Sequence, residues 1–341
     1  MKLSVVDQSP VSSGMTPAEA LRNTIDLARH CDRLGYERYW IAEHHGMEVI
    51  ATSVPEVMIG LVAEATKAIR VGSGAVLLPH YSPLKVAETF RLLHALYPGR
   101  IDLGVGRAPG GEALEAFALR RTRDQAQFDV DDFPNQLVEL LAFLRHDFPA
   151  DHPFGRIHVT PDMPGEPEVW LLGSSAWSAM AGGRLSLPYC FAHFINPGGT
   201  RMCIERYRAQ YEPTPRAPQP QALAAVGVIC AETDEEAERI GVVYRAMGRR
   251  IRLGIRAPLP TPEEAVKELA EGPAPGGFGD GEWPRVFIGG PAKLRGELQA
   301  MADALGIDEI MAVSITHDHS DRVRSYALLA EAFALSPREE T

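Results

Sequence analysis

Met1-Lys2-Leu3-Ser4-Val5-Val6-Asp7, then Thr16-Pro17-Ala18-Glu19, then an apolar stripe of Leu21, Ile25, Ala28 and Cys31, then a second strand-like run at about 38–42: this stretch reads as one strand–helix–strand unit. The Thr and Glu form a capping box, and Pro17 occupies the first helical position, where its missing N–H costs nothing. The stripe recurs at i, i+4, i+7 and i+10, which turns one apolar face toward a sheet. Further short apolar runs follow at about 70–76, 101–105, 168–173, 188–193, 222–230 and 309–315. Ser82-Pro83 and Thr233-Asp234-Glu235-Glu236 repeat the helix-start chemistry between them. Strands alternating with amphipathic helices form parallel sheets, and eight of them suggest closure into a (β/α)8 barrel. A doubly wound sheet of the same strand count satisfies this pattern too.

Two stretches interrupt the alternation. Residues 106–132 form a long connection after the fourth strand, and residues 256–284 carry Pro258, Pro260, Pro273, Pro275, Gly276, Gly277, Gly279 and Gly281. A Pro/Gly-rich segment of that length inside a compact domain is expected to be a mobile loop or lid. Because the Gly289-Gly290-Pro291 helix start and the last strand follow it, the chain reads as a single domain over 1–341, with the insertion before the last strand.

Composition narrows the partners. The 341 residues are 45% hydrophobic and 23% charged, with 34 Lys plus Arg against 45 Asp plus Glu and a formal net charge of -11. An acidic chain without a basic stripe argues against nucleic acid and anionic membrane surfaces. The first strand begins at the N-terminus, which leaves no room for a signal peptide, and no apolar run approaches the ~20 residues that span a bilayer. Cys31, Cys190, Cys203 and Cys230 show no C-x-x-C spacing, so a cytoplasmic setting is expected.

In an α/β barrel, chemistry sits on loops leaving the C-terminal strand ends. After the second strand stand Glu43-His44-His45, an acid and two imidazoles able to serve as a general base or to bind a polar ring. Adjacent residues on an extended chain point apart, so one of the two histidines faces the barrel mouth. After the fourth strand, Gly104-Val105-Gly106-Arg107-Ala108-Pro109-Gly110 combines small residues with a guanidinium suited to phosphate. Its glycine spacing is not that of a dinucleotide fingerprint. After the fifth, Gly173-Ser174-Ser175 opens a helix that includes Ser178, and a helix N-terminus with free amides suits a phosphate. Together with Arg107, that pair favours a phosphate site. His193 follows the sixth strand, and His317-Asp318-His319 follows the last. The first strand ends in Asp7-Gln8-Ser9 without a histidine, so His317 and His319 read as rim residues and no metal is expected.

The order of these pieces resembles the bacterial luciferase-like flavin-dependent monooxygenases and oxidoreductases. The resemblance rests on Glu43-His44-His45, Val71-Gly72-Ser73-Gly74-Ala75-Val76-Leu77-Leu78-Pro79, Ser82-Pro83-Leu84-Lys85-Val86-Ala87-Glu88, Pro98-Gly99-Arg100-Ile101-Asp102-Leu103-Gly104-Val105-Gly106-Arg107 and Gly306-Ile307-Asp308-Glu309-Ile310. It implies a barrel binding FMN, with Arg107, Gly173, Ser174, Ser175 and Ser178 around the phosphate. It implies that His44 is the active-site histidine and that Gly74–Ala75 is a non-proline cis peptide beneath the flavin. Asp7, Glu43, His45 and His193 are further candidates for the substrate or flavin pocket. The implied reaction takes reduced FMN from a separate NAD(P)H:flavin reductase, adds O2 at the flavin C4a, and oxidises a small organic substrate through the resulting hydroperoxide. A deazaflavin F420-dependent oxidoreductase and a non-catalytic flavin-binding protein of the same fold are the alternatives. The family's reactive cysteine is replaced by Gly106, so no thiol is expected beside the flavin, and light emission is not implied. The apolar second and third helices, Pro55–Val62 and Glu88–Leu93, lead us to expect a homodimer.

Overall fold

The computed structural model describes residues 1–119, 132–272 and 281–338. Its strands are β1 (Lys2–Asp7), β2 (Arg38–Ile41), β3 (Arg70–Ser73), β4 (Val76–Leu77), β5 (Ile101–Gly106), β6 (Glu168–Gly173), β7 (Tyr189–Ala192), β8 (Ala222–Cys230), β9 (Val286–Gly289) and β10 (Glu309–Val313). Eight of them close into a parallel barrel in the order β1, β2, β3, β5, β6, β7, β8, β10. Closure is explicit in the register, because β10 pairs with β1 (Leu3 opposite Ile310) and with β8 (Ile310 opposite Ala224). The doubly wound alternative is thereby removed.

Helices α1 (Pro17–Leu34), α2 (Pro55–Ala65), α3 (Pro83–Leu96), α4 (Ala113–Leu119), α5 (Phe133–Arg145), α6 (Ala176–Arg184), α7 (Thr200–Ala209), α8 (Asp234–Arg252), α9 (Pro262–Ala270), α10 (Pro291–Leu305) and α11 (His319–Ala332) accompany the strands. None of these helices is long and apolar enough to cross a membrane. The α1 capping box forms as read, with Thr16 N–H donating to Glu19 Oε2 at 2.8 Å. Its buried face is rotated from the expected stripe: Ala20, Thr24, Leu27, Ala28 and Cys31 are buried, while Leu21 and Ile25 are half-buried. Thr24 can be buried because its hydroxyl pairs with Ser9 Oγ at 2.6 Å and its carbonyl accepts from Tyr39 Oη at 3.0 Å.

Three departures from the sequence reading matter. The third strand breaks at Gly74–Ala75, and its two pieces pair with β5 one after the other. An unexpected strand, β9, pairs with the upper half of β8 from Gly227–Val286 to Cys230–Gly289. At nine residues β8 outruns β10, and the extra length takes this second partner. Within 256–284, residues 262–270 form helix α9 under a capping box of its own, made by Thr261 and Glu264, and Leu259 is fully buried against the β1 loop. Residues 273–280 of that segment, and 120–131 of the 106–132 connection, lie outside the described residues.

Strand alternation sorts the core into two layers. Outward residues such as Val5, Tyr39, Leu103 and Ile310 pack under the helices. Inward residues such as Val6, Trp40, Trp170, Ala225 and Met311 fill the barrel. Below them Arg38, 4% exposed, donates to Asp102 (2.8 Å), Glu168 (2.9 Å) and Glu309 (3.1 Å), and Trp40 Nε1 donates to Asp102 at 2.9 Å. This ion-paired layer plugs the lower end, leaving the cavity to the C-terminal strand ends.

Candidate active site

A pocket of about 420 Å³ opens at that end, floored by Val6, Trp40, Leu172, Cys190, Ala225 and Met311. Its rim carries residues from β1, β2, β3, β5 and β6. His44 lines it and is half-buried, and its Nδ1 is buried without a hydrogen-bond partner. Burial, with a smaller contribution from neighbouring His45, lowers the imidazole from 6.5 to about 4. The ring is therefore neutral at physiological pH, with one nitrogen able to donate and the other to accept.

His45 faces away. Its Nε2 meets Glu43 Oε1 at 2.8 Å, and Glu43 also accepts from Tyr81 Oη (2.8 Å) and Leu77 N–H (3.0 Å). Glu43 lines the pocket, but its carboxylate is committed to a clamp that ties β2 to β4. His45 belongs to that clamp rather than to the pocket lining. Only one of the two histidines faces the mouth, as alternation requires.

The peptide between Gly74 and Ala75 is cis, and both residues line the pocket. A Cβ on Gly74 would lie 2.9 Å from Val6 Cγ2 and 3.2 Å from Trp40 Cβ, so a larger residue would push on the floor. Gly106 adjoins them, its added Cβ meeting Ala75 Cβ at 3.2 Å. Three small residues, Gly74, Ala75 and Gly106, thus stand together in the lining.

Arg107 lines the pocket with its guanidinium 4.8 Å over the Trp177 ring. Trp177 lies in the first turn of α6, so the arginine is held beside that helix start. Ser175 caps α6 by accepting from Ser178 N–H, which serves one of the four amides a helix start leaves without intrahelical partners. Asn196 Nδ2 donates to the Ser174 carbonyl at 2.9 Å and steadies the turn. Gly173 is required because a Cβ there would run into the Ser178 side chain. Ser178 itself is turned inward, donating to the Ser175 carbonyl at 2.8 Å and lying 3.2 Å from Tyr189 Oη. Arg107, the α6 start, Ser174 and Ser175 thus line one pocket, with Ser178 packed behind the helix turn.

Besides His45, two candidates fall outside the pocket lining. Asp7 points out of the barrel, where it accepts from Arg322 at 2.9 Å and from Tyr39 Oη at 2.5 Å. It sits between Val6 and Gln8, which do line the pocket, and strand alternation sends it the other way. His193 is fully buried with both ring nitrogens engaged, by Thr200 Oγ1 (2.7 Å) and the Pro284 carbonyl (2.9 Å). It latches β7 to the chain before β9. Cys190 of β7 lines the floor, its thiol raised by burial and so protonated. His317 and His319 diverge to Asp318 and Asp26, each at 2.9 Å.

Gln8, Trp177 and Cys190 are lining residues that sequence reading passed over. Alternation from Val6 was the available signal for Gln8, and the aromatic two residues after Ser175 the signal for Trp177.

The family model described as luciferase-like monooxygenase matches residues 1–309. An N-acetyl-S-alkylcysteine monooxygenase of Bacillus subtilis (strain 168) is 35% identical, covering 99% of this chain and 100% of that one. A luciferase-like monooxygenase of Escherichia coli (strain K12) is 35% identical over 95% of both chains. Among solved structures, apo-MsnO8 is 49% identical with a TM-score of 0.91, covering 99% of this chain and 98% of that one.

Proposed function

The chain belongs to the luciferase-like monooxygenase family, and on that premise we propose that it is an FMN-dependent monooxygenase that oxidises a small organic molecule with O2. Reduced FMN comes from a separate NAD(P)H:flavin reductase, because no dinucleotide fingerprint is present in the sequence. The observation that carries the reading is one pocket lined both by Arg107, Ser174 and Ser175 at a helix start, which suit a phosphate, and by the small residues Gly74, Ala75 and Gly106 with His44. That combination fits one phosphate and one planar ring.

Bound reduced FMN would supply the electrons that activate O2, one oxygen atom entering the substrate and the other leaving as water. The residues do the rest. Arg107 and the α6 start bind the phosphate and so fix the depth of the ring. Gly74, Ala75 and Gly106 let it lie close to the backbone. The apolar floor excludes water, which protects the reacting oxygen from side reactions. His44, neutral and with an unpartnered nitrogen, donates or accepts one hydrogen bond at the reacting edge.

The same reading includes a homodimer. Val57 and Leu61 of α2 and Leu92 and Leu96 of α3 are each half or more exposed, an apolar patch of the kind that marks an interface.

The test is anaerobic titration with reduced FMN and with F420, followed by isotopically heavy O2 and a panel of neutral organic substrates. Preferential FMN binding and label in a product are expected. Preference for F420 would replace the cofactor, and tight flavin binding without turnover on any substrate would favour a carrier.

A further inference from the structure

Gln8 is 7% exposed, lines the pocket, and its side-chain Oε1 is buried with no hydrogen-bond partner. An orphaned buried amide oxygen is costly, and one that borders a pocket can be completed by a group bound there. Which amide atom is left over depends on how the group is turned, because oxygen and nitrogen exchange places on rotation. As placed, the amide oxygen lacks a partner on its buried side.

Its neighbour shares the condition. Among the described residues, His44 Nδ1 is the other lining side-chain atom left buried and unpaired. The two residues are held at the same stretch of rim by Thr52, whose carbonyl accepts from His44 N–H at 3.1 Å and whose hydroxyl reaches the Gln8 carbonyl at 3.5 Å. Ala51 N–H to Ser9 O (3.0 Å) and Val11 N–H to Val49 O (2.9 Å) zip the loops after β1 and β2 together. The nearby Glu43 carboxylate already serves three donors, so its charge is committed. A neutral amide and a neutral imidazole, each able to donate and accept, stand over an apolar floor.

We propose that Gln8, alongside His44, is a specificity-determining residue that anchors a neutral ligand group able both to donate and to accept a hydrogen bond. Two sources supply that chemistry: the imide edge of the flavin ring, or a hydroxyl of an otherwise apolar substrate. The proposal rests on the pocket being the flavin and substrate site.

The experiment is a calorimetric cycle on the full chain. Parent and Gln8→Met, which keeps volume and removes hydrogen bonding, are titrated with two ligand pairs. One pair is lumiflavin and 3-methyllumiflavin; the other is 4-ethylphenol and 4-ethylanisole, run with and without saturating FMN. Each second member lacks the donor. The parent is expected to prefer the donor-bearing member of one pair by about three- to tenfold, and Gln8→Met to lose that preference. The pair that responds names the source. No preference in the parent for either pair, which requires no variant to fold, overturns the proposal. A preference that survives in Gln8→Met overturns it too, as does an equal loss for both members of each pair, which marks Gln8 as structural. If the parent binds no FMN, the flavin reading fails separately, and the phenol pair without FMN still decides Gln8.

Discussion

Replacing Arg107 with alanine tests the proposed phosphate site, and the structure sets the expected size of the effect. A charge-assisted hydrogen bond contributes about 1.5–3 kcal/mol. Arg107 is exposed at the rim, where solvent and salt screen its charge, which pulls the figure toward the lower end. The Trp177 ring 4.8 Å away restrains the guanidinium and limits the entropy lost on binding. A net ~1.5–2 kcal/mol corresponds to roughly ten- to thirtyfold in affinity. The assay is fluorescence titration of FMN and of riboflavin, which lacks the phosphate, against parent and Arg107→Ala. The parent should prefer FMN by about that factor, and the variant should bind the two flavins nearly alike. Raising salt should erode the parent's preference but not the variant's. An Arg107→Ala protein that kept the parent's preference for FMN over riboflavin would refute the reasoning, because the phosphate would then be held elsewhere.

Other outcomes follow from the same geometry. His44→Gln should keep flavin affinity and lose turnover by ~10²-fold or more, the usual range for a general acid–base group; unchanged turnover would remove it from the chemistry. Burial lowers His44 from 6.5 to about 4, so the unfolded chain binds its proton first as pH falls. Its contribution to stability is therefore whole above pH 6.5 and is lost as pH falls toward 4, and melting curves across that window should slope less in His44→Gln than in the parent. Arg38→Met leaves Glu309 without its ion-pair partner and Asp102 and Glu168 with Arg70 alone, and breaking such a buried pair costs about 3–5 kcal/mol. At ~2.1 cal/mol/K per residue over 341 residues, that lowers the melting point by about 4–7 °C, and a fall below ~1 °C would count against the ion-paired plug. Leu61→Glu combined with Leu96→Glu should turn a dimer into a monomer in light scattering, whereas an unchanged mass would place the interface elsewhere.

Local periodicity carried much of the architecture. The strand runs, the Thr16–Glu19 capping box and the alternation toward a closed barrel were legible because each depends on neighbours within a few residues. The pocket positions of Arg107 and Ser174–Ser175 were legible because each follows a strand end, and strand ends define the mouth of a barrel, whereas His44, Gly74 and Ala75 were singled out by the family resemblance. Alternation says that adjacent residues face apart, and the tertiary structure decided which of the two faces inward. A one-residue difference in strand phase puts Gln8 in the pocket and Asp7 against Arg322, and composition does not carry that phase. It also decided contacts between segments distant in the chain. His193 is withdrawn from chemistry by the Pro284 carbonyl 91 residues away, and β9 exists because β8 outruns β10 and takes a second partner. Hydrogen-bond partners of that kind are chosen by closure of the barrel, and a local pattern in the chain holds no record of them.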